Sequence, residues 1–458
     1  MKVDSKDRSA SLFVLYLASF IVVTGFGVII PFFPIYANDI LFECDFWGFT
    51  LGIALQIGII TAASKVTEFF LSPAYGELSD TTGRKPLILV GMSVYSVLMA
   101  GYSLAFDFLS LFTIRALQGI ATAAVWTVGE ALVVDLSEEE KKGRNLGLYM
   151  FSLLAGLTTG PFVGFGFFFI INSVLHLAVM DSYRLTFLCV ASFCVLGSLL
   201  VGLFVHDPRA EKIPLMRLYA SSVRAMLVKT VKSPIILYKN LSISVDYRDR
   251  SIYALYVVAL VNGFGAALIL PVAALFMEDY YNLDAGSISL VIGIAGLVAL
   301  FGTIVGGNLS DRYGRKKTVW MPGIAGGAVM MTLGIKTVLG VWLLLVLITL
   351  RRFMASIMQP SFRALQSDMI PEEIRGKEFG TVQAMYNLGS IIGPVLGGYL
   401  YDLFFMVKID LGNGLEFIGS GITFVFSGML AIMASLVILA FVGKKEVMPS
   451  DYLAELPG

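Results

Sequence analysis

Residues 76–86 read GELSDTTGRKP, and residues 307–317 repeat the pattern as GNLSDRYGRKK. Each copy has a glycine, then Leu-Ser-Asp, then Gly-Arg-Lys, and each lies between two long apolar runs. Glycine has no Cβ and tolerates positive φ, so each copy predicts a tight turn between closely packed helices. A charged turn at equivalent places in two halves indicates a duplicated unit. The matching positions are Gly76 and Gly307, Asp80 and Asp311, Gly83 and Gly314, and Arg84 and Arg315.

The composition indicates a membrane protein. Of the 458 residues, 57% are hydrophobic and only 14% are charged, whereas soluble domains have about 25% charged residues. Mean hydropathy is +0.82, and the net charge of zero gives no indication of a nucleic acid partner. The three cysteines and two histidines are scattered, so their spacing predicts no disulfide framework, metal site or cofactor.

Apolar stretches that are long enough to cross a bilayer occur about twelve times, since a spanning helix needs roughly 20 residues. The first stretch is too long for the core of a signal peptide, so we expect it to be retained. We therefore predict an all-α polytopic membrane protein with twelve transmembrane helices in two pseudo-symmetric six-helix bundles. The predicted spans are residues 11–37, 50–75, 86–106, 109–135, 145–171, 183–205, 252–277, 287–308, 318–336, 340–365, 378–405 and 416–443.

Lysine and arginine residues are distributed unevenly between the two predicted sides of the membrane. One side carries both termini, the two charged turns and most of the basic residues, while the other side has only Arg184, Lys336 and Lys408. Basic residues concentrate on the cytoplasmic side of membrane proteins. We therefore expect both termini in the cytoplasm and the protein in the cell (inner) membrane.

Two more motifs recur in the second half of the chain. The turn that begins at Asp135 returns at Asp368, and a GxxxGPxxG pattern around Gly160 returns around Gly393 with the same separation. We predict an N-terminal six-helix bundle at residues 1–206, a cytoplasmic linker at 207–251 and a C-terminal six-helix bundle at 252–458. Basic and apolar residues interleave in the linker, which fits either an amphipathic helix on the inner leaflet or a solvated segment.

These motifs resemble those of the major facilitator superfamily, and within it the twelve-span drug:proton antiporters, over nearly the whole chain. The loop motif G-x-L-S-D-x-x-G-R-K-P is matched by residues 76–86 throughout. The motif of the fourth span is matched by Arg115, Gln118 and Gly119, and a glycine ladder that favours antiporters is matched in the fifth span. One departure concerns residues 24–34, which contain no acidic residue, although many of these antiporters have one in the first span.

Charged side chains inside a membrane span are costly and indicate function. Lys65 and Glu68 are three residues apart in the second span, so they lie on one helical face, roughly at mid-membrane. A carboxylate whose surroundings change with the cavity can bind and release a proton, and we therefore propose Glu68 as the proton-coupling candidate. The alternative is a static Lys65–Glu68 ion pair that only holds two helices together.

Other polar residues within the spans are candidates for lining a substrate cavity. In the fourth span, Arg115, Gln118 and Trp126 offer a cation, an amide and an aromatic ring. Two adjacent arginines in the tenth span point about 100° apart, so only one need face the cavity. Alternatively, arginines in the spans bind backbone carbonyls of neighbouring helices. The candidates for the cavity are Lys65, Arg115, Gln118, Trp126, Asn262, Arg351 and Arg352.

The two charged turns predict ion pairs of Arg84 with Asp135 and of Arg315 with Asp368. The resemblance assigns gating to this loop, so we expect a cytoplasmic gate that stabilises the outward-facing packing. Solvated charges that cap the helix ends are the alternative. The predicted gate comprises Gly76, Asp80, Gly83, Arg84, Asp135, Gly307, Asp311, Gly314, Arg315 and Asp368.

The glycine–proline ladders predict close helix packing and bending. Such helices can form a tight contact and flex while the two halves move, although ordinary small-residue packing accounts for the same pattern. The predicted hinge positions are Gly156, Gly160, Pro161, Gly164, Gly393, Pro394 and Gly397.

Two six-helix bundles around a shared site predict a secondary active transporter that works by alternating access. The resemblance favours proton-coupled export of amphipathic or drug-like small molecules, by a monomer embedded in membrane lipids. Basic residues in the spans favour an alternative, a transporter or flippase for an anionic or lipid-linked solute. A non-transporting membrane sensor or scaffold is a further alternative. An enzyme is not expected, because the sequence has no nucleophile–histidine pair and no carboxylate dyad.

Overall fold

The computed structural model describes residues 5–46, 49–206, 250–370 and 375–442, and most of these residues are helical. The predicted amphipathic helix of the linker lies outside the described residues. Within the described residues there are thirteen α-helices, of which α7 and α8 form one interrupted span. The helices are α1 (Ser5–Ile40), α2 (Ile53–Thr82), α3 (Arg84–Gly101), α4 (Phe108–Leu136), α5 (Lys142–Phe169), α6 (Val179–Phe204), α7 (Arg250–Leu268), α8 (Val272–Tyr281), α9 (Ala285–Tyr313), α10 (Arg315–Thr332), α11 (Gly340–Met369), α12 (Arg375–Leu403) and α13 (Ile422–Phe441).

Five short strands lie at one end of the helices. A hairpin of β1 (Cys44–Phe46) and β2 (Phe49–Leu51) connects α1 to α2. An antiparallel sheet in the order β3-β5-β4 is formed by β3 (Ile335–Lys336), β4 (Lys408–Gly412) and β5 (Leu415–Ile418). We call this end of the molecule the hairpin end. We call the opposite end, with the turns at Gly83 and Gly314, the motif end.

In the described part of the chain, ten spans are long and apolar enough to cross a membrane by length and composition, counting α7 and α8 as one. The two remaining helices are α10, which begins with three basic residues, and α12, which is rich in glycine. Large apolar side chains point outward from the helices, as on α3, where Val97 is 69% exposed, and on α6, where Leu203 is 72% exposed. Exposed apolar surface of this extent is typical of contact with lipid.

The same packing pattern occurs in both halves. In the first half α1 packs on α5 and α6, α2 on α4, and α3 on α4 and α6. In the second half α7 packs on α12 and α13, α9 on α11, and α10 on α11 and α13. Each contact therefore has its counterpart in the other half, and the prediction of two pseudo-symmetric six-helix bundles is confirmed.

The contacts between the halves follow the same symmetry. The main pairs of helices are α2 with α12 and α5 with α9. Exchanging the halves maps α2 onto α9 and α12 onto α5, so it converts one contact into the other. A twofold axis between the bundles requires this exchange.

The glycine ladders bring backbones into direct contact within each half. A Cβ on Gly156 would lie 2.6 Å from the carbonyl oxygen of Phe20, and a Cβ on Gly160 would collide with Gly27, both on α1. On α12, a Cβ on Gly393 would lie 2.7 Å from the carbonyl oxygen of Phe264 on α7. Pro161 and Pro394 lie within continuous helices. The ladders therefore serve close packing, and the hinge function remains a prediction.

Proline residues act differently in the first and seventh spans. Pro31 and Pro34 lie within the continuous helix α1. Pro271 directly precedes α8, and the chain between α7 and α8 is a turn rather than helix. A proline cannot donate the backbone hydrogen bond that a helix requires. The seventh span is therefore interrupted near the hairpin end.

We expect Gly160→Val to destabilise the protein by about 1–3 kcal/mol, because added side-chain atoms would push α5 away from α1. Gly166→Val, on the same helix, is the matched control, since a Cβ at Gly166 meets no atom within 4 Å. The midpoint of thermal unfolding in detergent measures the difference. Equal midpoints for the two variants would contradict this account of the ladder.

Candidate functional site

The two halves meet mainly near the hairpin end. A Cβ on Gly293 of α9 would lie 2.8 Å from the ring of Phe162, and one on Gly296 would lie 3.1 Å from Thr158, both on α5. Residues 285–296 of α9 are mostly buried, whereas only Gly302, Gly306 and Ser310 are buried among residues 297–313. The halves therefore separate toward the motif end, and the space between them is the candidate functional site, which we call the chamber.

Lys65 and Glu68 form an ion pair on α2, with Nζ and Oε2 2.9 Å apart. Their side chains are 39% and 21% exposed. The neighbouring Thr67 fixes this part of α2 on α4, because its hydroxyl donates to the carbonyl of Ala116 at 2.8 Å. The pair therefore lies on a helix that is held in place by its own half and also packs on α12 of the other half.

A set of charged and polar side chains connects the two halves electrostatically. The ammonium group of Lys65 lies within electrostatic range of Arg115 on α4 and of Tyr386 on α12. Tyr386 interacts in turn with Arg363 on α11, and Arg363 interacts with Glu130 on α4. These side chains come from four helices, two in each half. They therefore belong to one shared site rather than to two separate ones.

Arg115 provides a cation beside aromatic rings. Its guanidinium carbon lies 3.8 Å from the centroid of the Phe33 ring, and its buried Nε has no hydrogen-bond partner. Trp126 lies 6.4 Å from Phe26, which stacks on Tyr95 with ring centroids 4.3 Å apart. This wall of the first half therefore combines an aromatic surface with one arginine that lacks a carboxylate among the described residues.

Two of the predicted cavity residues point elsewhere. Gln118 is 2% exposed, and its side-chain oxygen accepts a hydrogen bond from Tyr102 at 2.7 Å, so it faces α3. Arg351 lies against α10, where a Cβ on Gly326 would be 3.7 Å from its Nη1. In this structure the rotation of each helix about its axis directs both side chains toward outer helices, and a role in the cavity remains a prediction for both.

Arg352 and Asn262 remain candidates for the chamber. Arg352 precedes Arg363 by about three helical turns, so both lie on one face of α11. Neither Arg352 nor the half-buried Asn262 makes a hydrogen bond within the described part of the chain. Their polar groups are therefore available to a solute or to water.

A polar stripe that was not predicted from the sequence lies on the wall of the second half. Arg363 donates to the side-chain oxygen of Gln383 at 3.3 Å, and Gln383 donates to Asn387 at 3.2 Å. Tyr386 lies beside them and is 37% exposed. Amide residues spaced four apart in an otherwise apolar span were the signal that could have revealed this stripe.

The turns of the motif end form as predicted. Gly83 and Gly314 have φ of 88° and 92°. Arg84 pairs with Asp135 at 3.0 Å, and Arg315 pairs with Asp368. Each pair lies within one half, so in this structure neither pair connects the halves. Gly76 and Asp80 belong to α2 but lie outside the residues with described side chains, and Gly307 and the exposed Asp311 belong to α9.

The family model described as Major Facilitator Superfamily matches residues 15–241 and 255–452. The chain belongs to the major facilitator superfamily. The resemblance inferred from the motifs is thereby confirmed, and transport across a membrane is the activity of this superfamily.

Two relatives of this superfamily member are named for drug resistance. The quinolone resistance protein NorA of Staphylococcus aureus is 22% identical over 409 residues, which cover 89% of this chain and 94% of NorA. The multi-drug resistance efflux pump PmrA of Streptococcus pneumoniae is 25% identical over 417 residues, which cover 86% of this chain and 90% of PmrA. The similarity thus extends over nearly the full length of both relatives.

A solved structure of the superfamily has the same fold. It is a bacterial homolog of the human lysosomal transporter Spinster, in an inward-facing and unoccupied conformation. The TM-score is 0.70 at 13% identity, and the alignment covers 96% of each chain. This likeness concerns the fold alone.

We expect the two loop-motif arginines to differ in their contribution to stability. The side chains of Arg84 and Asp135 are 8% and 10% exposed, so Arg84→Ala leaves a buried carboxylate without its cation, at a cost of about 3–5 kcal/mol. The side chains of Arg315 and Asp368 are 37% and 46% exposed, so Arg315→Ala should cost less than about 1 kcal/mol.

Thermal unfolding of the two variants measures this difference. Arg315→Ala is the matched control, because it removes the corresponding arginine of the repeat. A loss of stability that is equal in the two variants would contradict the argument from burial.

Proposed function

We propose that this protein is a secondary active transporter that exports amphipathic organic molecules by alternating access. The observation that carries this proposal is the chamber, which has walls from both halves and lies beside an interface with pseudo-twofold symmetry. Two bundles that rotate about such an interface expose one site to each side of the membrane in turn.

The direction of transport follows from the orientation that we propose. Basic residues concentrate at the motif end, which favours the cytoplasm for this side. The halves separate toward this end, so the chamber in this conformation receives solutes from the cytoplasm or the inner leaflet. Loading from that side is what an exporter in the cell membrane requires. The chain itself supplies all helices of the site, as a monomeric transporter would.

The chemistry of the first-half wall supports an amphipathic substrate. The half-buried rings of Phe26 and Trp126 offer an aromatic surface, which the buried Tyr95 supports from behind, and Arg115 beside Phe33 offers a cation at its edge. Flat aromatic surfaces bind different solutes without demanding one hydrogen-bond pattern. The relatives NorA and PmrA, which are named for quinolone resistance and for multi-drug efflux, support the same substrate class.

Proton coupling is proposed to depend on Glu68. Its carboxylate is paired with Lys65 in this conformation. Arg115 and Tyr386 lie within electrostatic range of that lysine. A rotation of the halves would move Tyr386 relative to α2 and change the field that acts on the pair. A carboxylate in a field that changes between conformations can take up a proton in one and release it in the other. The static ion pair remains the alternative.

We expect Glu68→Gln to abolish the acceleration of substrate export by a pH gradient, because the amide cannot carry a proton. The measurement is uptake of a fluorescent amphipathic dye into proteoliposomes with and without an imposed gradient. Glu138→Gln is the matched control, since Glu138 also pairs with a lysine three residues away, but on the surface at 2.6 Å. Gradient-driven uptake by Glu68→Gln at the wild-type rate would remove Glu68 from the mechanism.

A second candidate is the export of anionic amphipathic or lipid-linked solutes. Arg115 and Arg352 lie within the membrane region and have no carboxylate partner in the part of the chain that the structure describes. An arginine in this position is stabilised by an anion or by water. An acidic group on the substrate would supply the missing partner while its apolar part contacts the aromatic wall.

We expect Arg352→Gln to weaken the export of an acidic amphipathic solute by about tenfold or more, because a charge-assisted hydrogen bond is lost. Export of an uncharged analogue of the same solute should not change. Arg351→Gln is the matched control, since its side chain points toward α10. Concentration-dependent uptake into proteoliposomes gives the half-saturation values. Equal losses for both solutes, or for both arginines, would contradict recognition of the anion.

A protein without counterflow of any tested solute would favour the scaffold alternative.

A further inference from the structure

Helix α2 begins without a cap of its own. Its N-cap residue is Gly52, which has no side chain that can accept a hydrogen bond. The first backbone N–H groups of a helix need acceptors, and a side chain at the N-cap usually supplies one. Here the acceptor is Asp402 of α12, whose carboxylate receives hydrogen bonds from the N–H of Ala54 at 3.2 Å and of Leu55 at 2.7 Å. Because α12 belongs to the other half, this cap connects the two bundles.

The repeat shows that this arrangement is specific to α2. Helix α9 is its counterpart in the second half, and α9 begins with Asp284 as its own N-cap. The side chain of Asp284 accepts from the N–H of Gly286 at 3.1 Å. Glycine therefore occupies the position at α2 where the corresponding helix has its capping aspartate, and the carboxylate comes from across the interface.

Glycine residues make room for this contact. A Cβ on Gly52 would collide with the carboxylate of Asp402. A Cβ on Gly398, one turn before Asp402, would collide with the backbone of Ala54, and one on Gly58 would collide with the carbonyl of Pro394. Helices α2 and α12 thus meet backbone to backbone, and the carboxylate fits only because the helix start has no side chain.

Among acidic neighbours, the carboxylate of Asp402 is stabilised mainly by the N–H groups at the start of α2. The negative charges of Glu43 and Asp279 act on Asp402, and Asp279 itself accepts a hydrogen bond from Tyr401 at 2.6 Å. Like charges repel this carboxylate, whereas the N–H groups and the positive end of the helix dipole attract it. Withdrawal of α12 from α2 would leave the carboxylate without these N–H groups, beside Asp279 of its own half, and would leave α2 uncapped.

We propose that Asp402 controls the opening of the hairpin end, as a capping residue that α2 receives from the opposite half. The contact stabilises the conformation in which the hairpin end is closed, and it must break whenever the halves rotate to open that end. This inference rests on the alternating-access part of the proposed function. It adds a residue on which the balance between the two conformations depends.

Spin labels at the hairpin end would measure this balance. Leu104 and Val338 lie there in different halves and are 78% and 86% exposed. With the native Cys44, Cys189 and Cys194 replaced, cysteines at these two positions carry the labels, and the distance distribution gives the ratio of open to closed protein. We expect Asp402→Ala to raise this ratio roughly fivefold, the change that loss of one N-cap commonly produces. Asp402→Asn should have a smaller effect, because asparagine is also a good capping residue.

Two controls distinguish an effect on the opening of the hairpin end from an effect on the stability of a helix. Asp284→Ala removes the corresponding cap within one half, so it should lower the unfolding temperature without changing the distance distribution. Gly52→Asp combined with Asp402→Ala gives α2 a cap of its own. We expect this double variant to regain thermal stability and to keep the raised open-to-closed ratio, because the connection between the halves is still absent.

The outcomes are distinct. No change of the distance distribution in Asp402→Ala would overturn the proposal, and so would a return to the wild-type distribution in the double variant. The proposed transport function is tested by a different measurement. Absence of solute counterflow by the wild-type protein in proteoliposomes would contradict it. That result would not depend on Asp402.

Discussion

A charged group in the middle of a membrane protein needs a partner, a helix end or water, and this requirement explains the placement of most ionised side chains in the structure. Arg84 and Asp135 meet at the motif end, and Lys65 and Glu68 meet inside a span. Asp402 meets a helix start. Arg115 lies against an aromatic ring and has no carboxylate partner among the residues that the structure describes. Under the proposed function, Arg115 would offer its charge to an acidic group of a solute at this wall.

Because the two halves repeat one fold, they meet at two symmetry-related interfaces. The two interfaces differ in chemistry. Between α5 and α9, the rings of Phe162 and Phe165 fit against the glycines Gly293 and Gly286. Between α2 and α12, a carboxylate binds backbone N–H groups. An apolar contact can slide with little change in energy, whereas a hydrogen-bonded cap is either formed or broken. The proposed rotation of the halves would therefore meet a discrete energetic step on one side of the twofold axis.

The sequence sufficed for the features that depend on spacing along one helix or turn. The positive φ at Gly83, the Lys65–Glu68 pair and the close packing of a helix at Gly160 follow from local pattern or from the repeat, whereas the identity of the partner helix α1 does not. The directions of Gln118 and Arg351 could not be predicted, because a span that is apolar all round does not fix its own rotation. Asp402 was missed because its partners Ala54 and Leu55 are backbone groups in the other half. Every residue except proline has the same backbone N–H and C=O groups, so the sequence does not show which of them a side chain will bind.

The single-residue connections of the motif end have a mechanical consequence. One glycine separates α2 from α3, and one glycine separates α9 from α10. Such a short link keeps the two helix ends that it joins together, so a displacement of one end is passed to the other. The glycine also cannot gain a side chain without backbone strain, since its φ lies in a region that L-residues avoid. Insertions at Gly83 or Gly314 would uncouple the outer helix from the inner one, and the displacement of α2 would no longer reach the outer surface of the bundle.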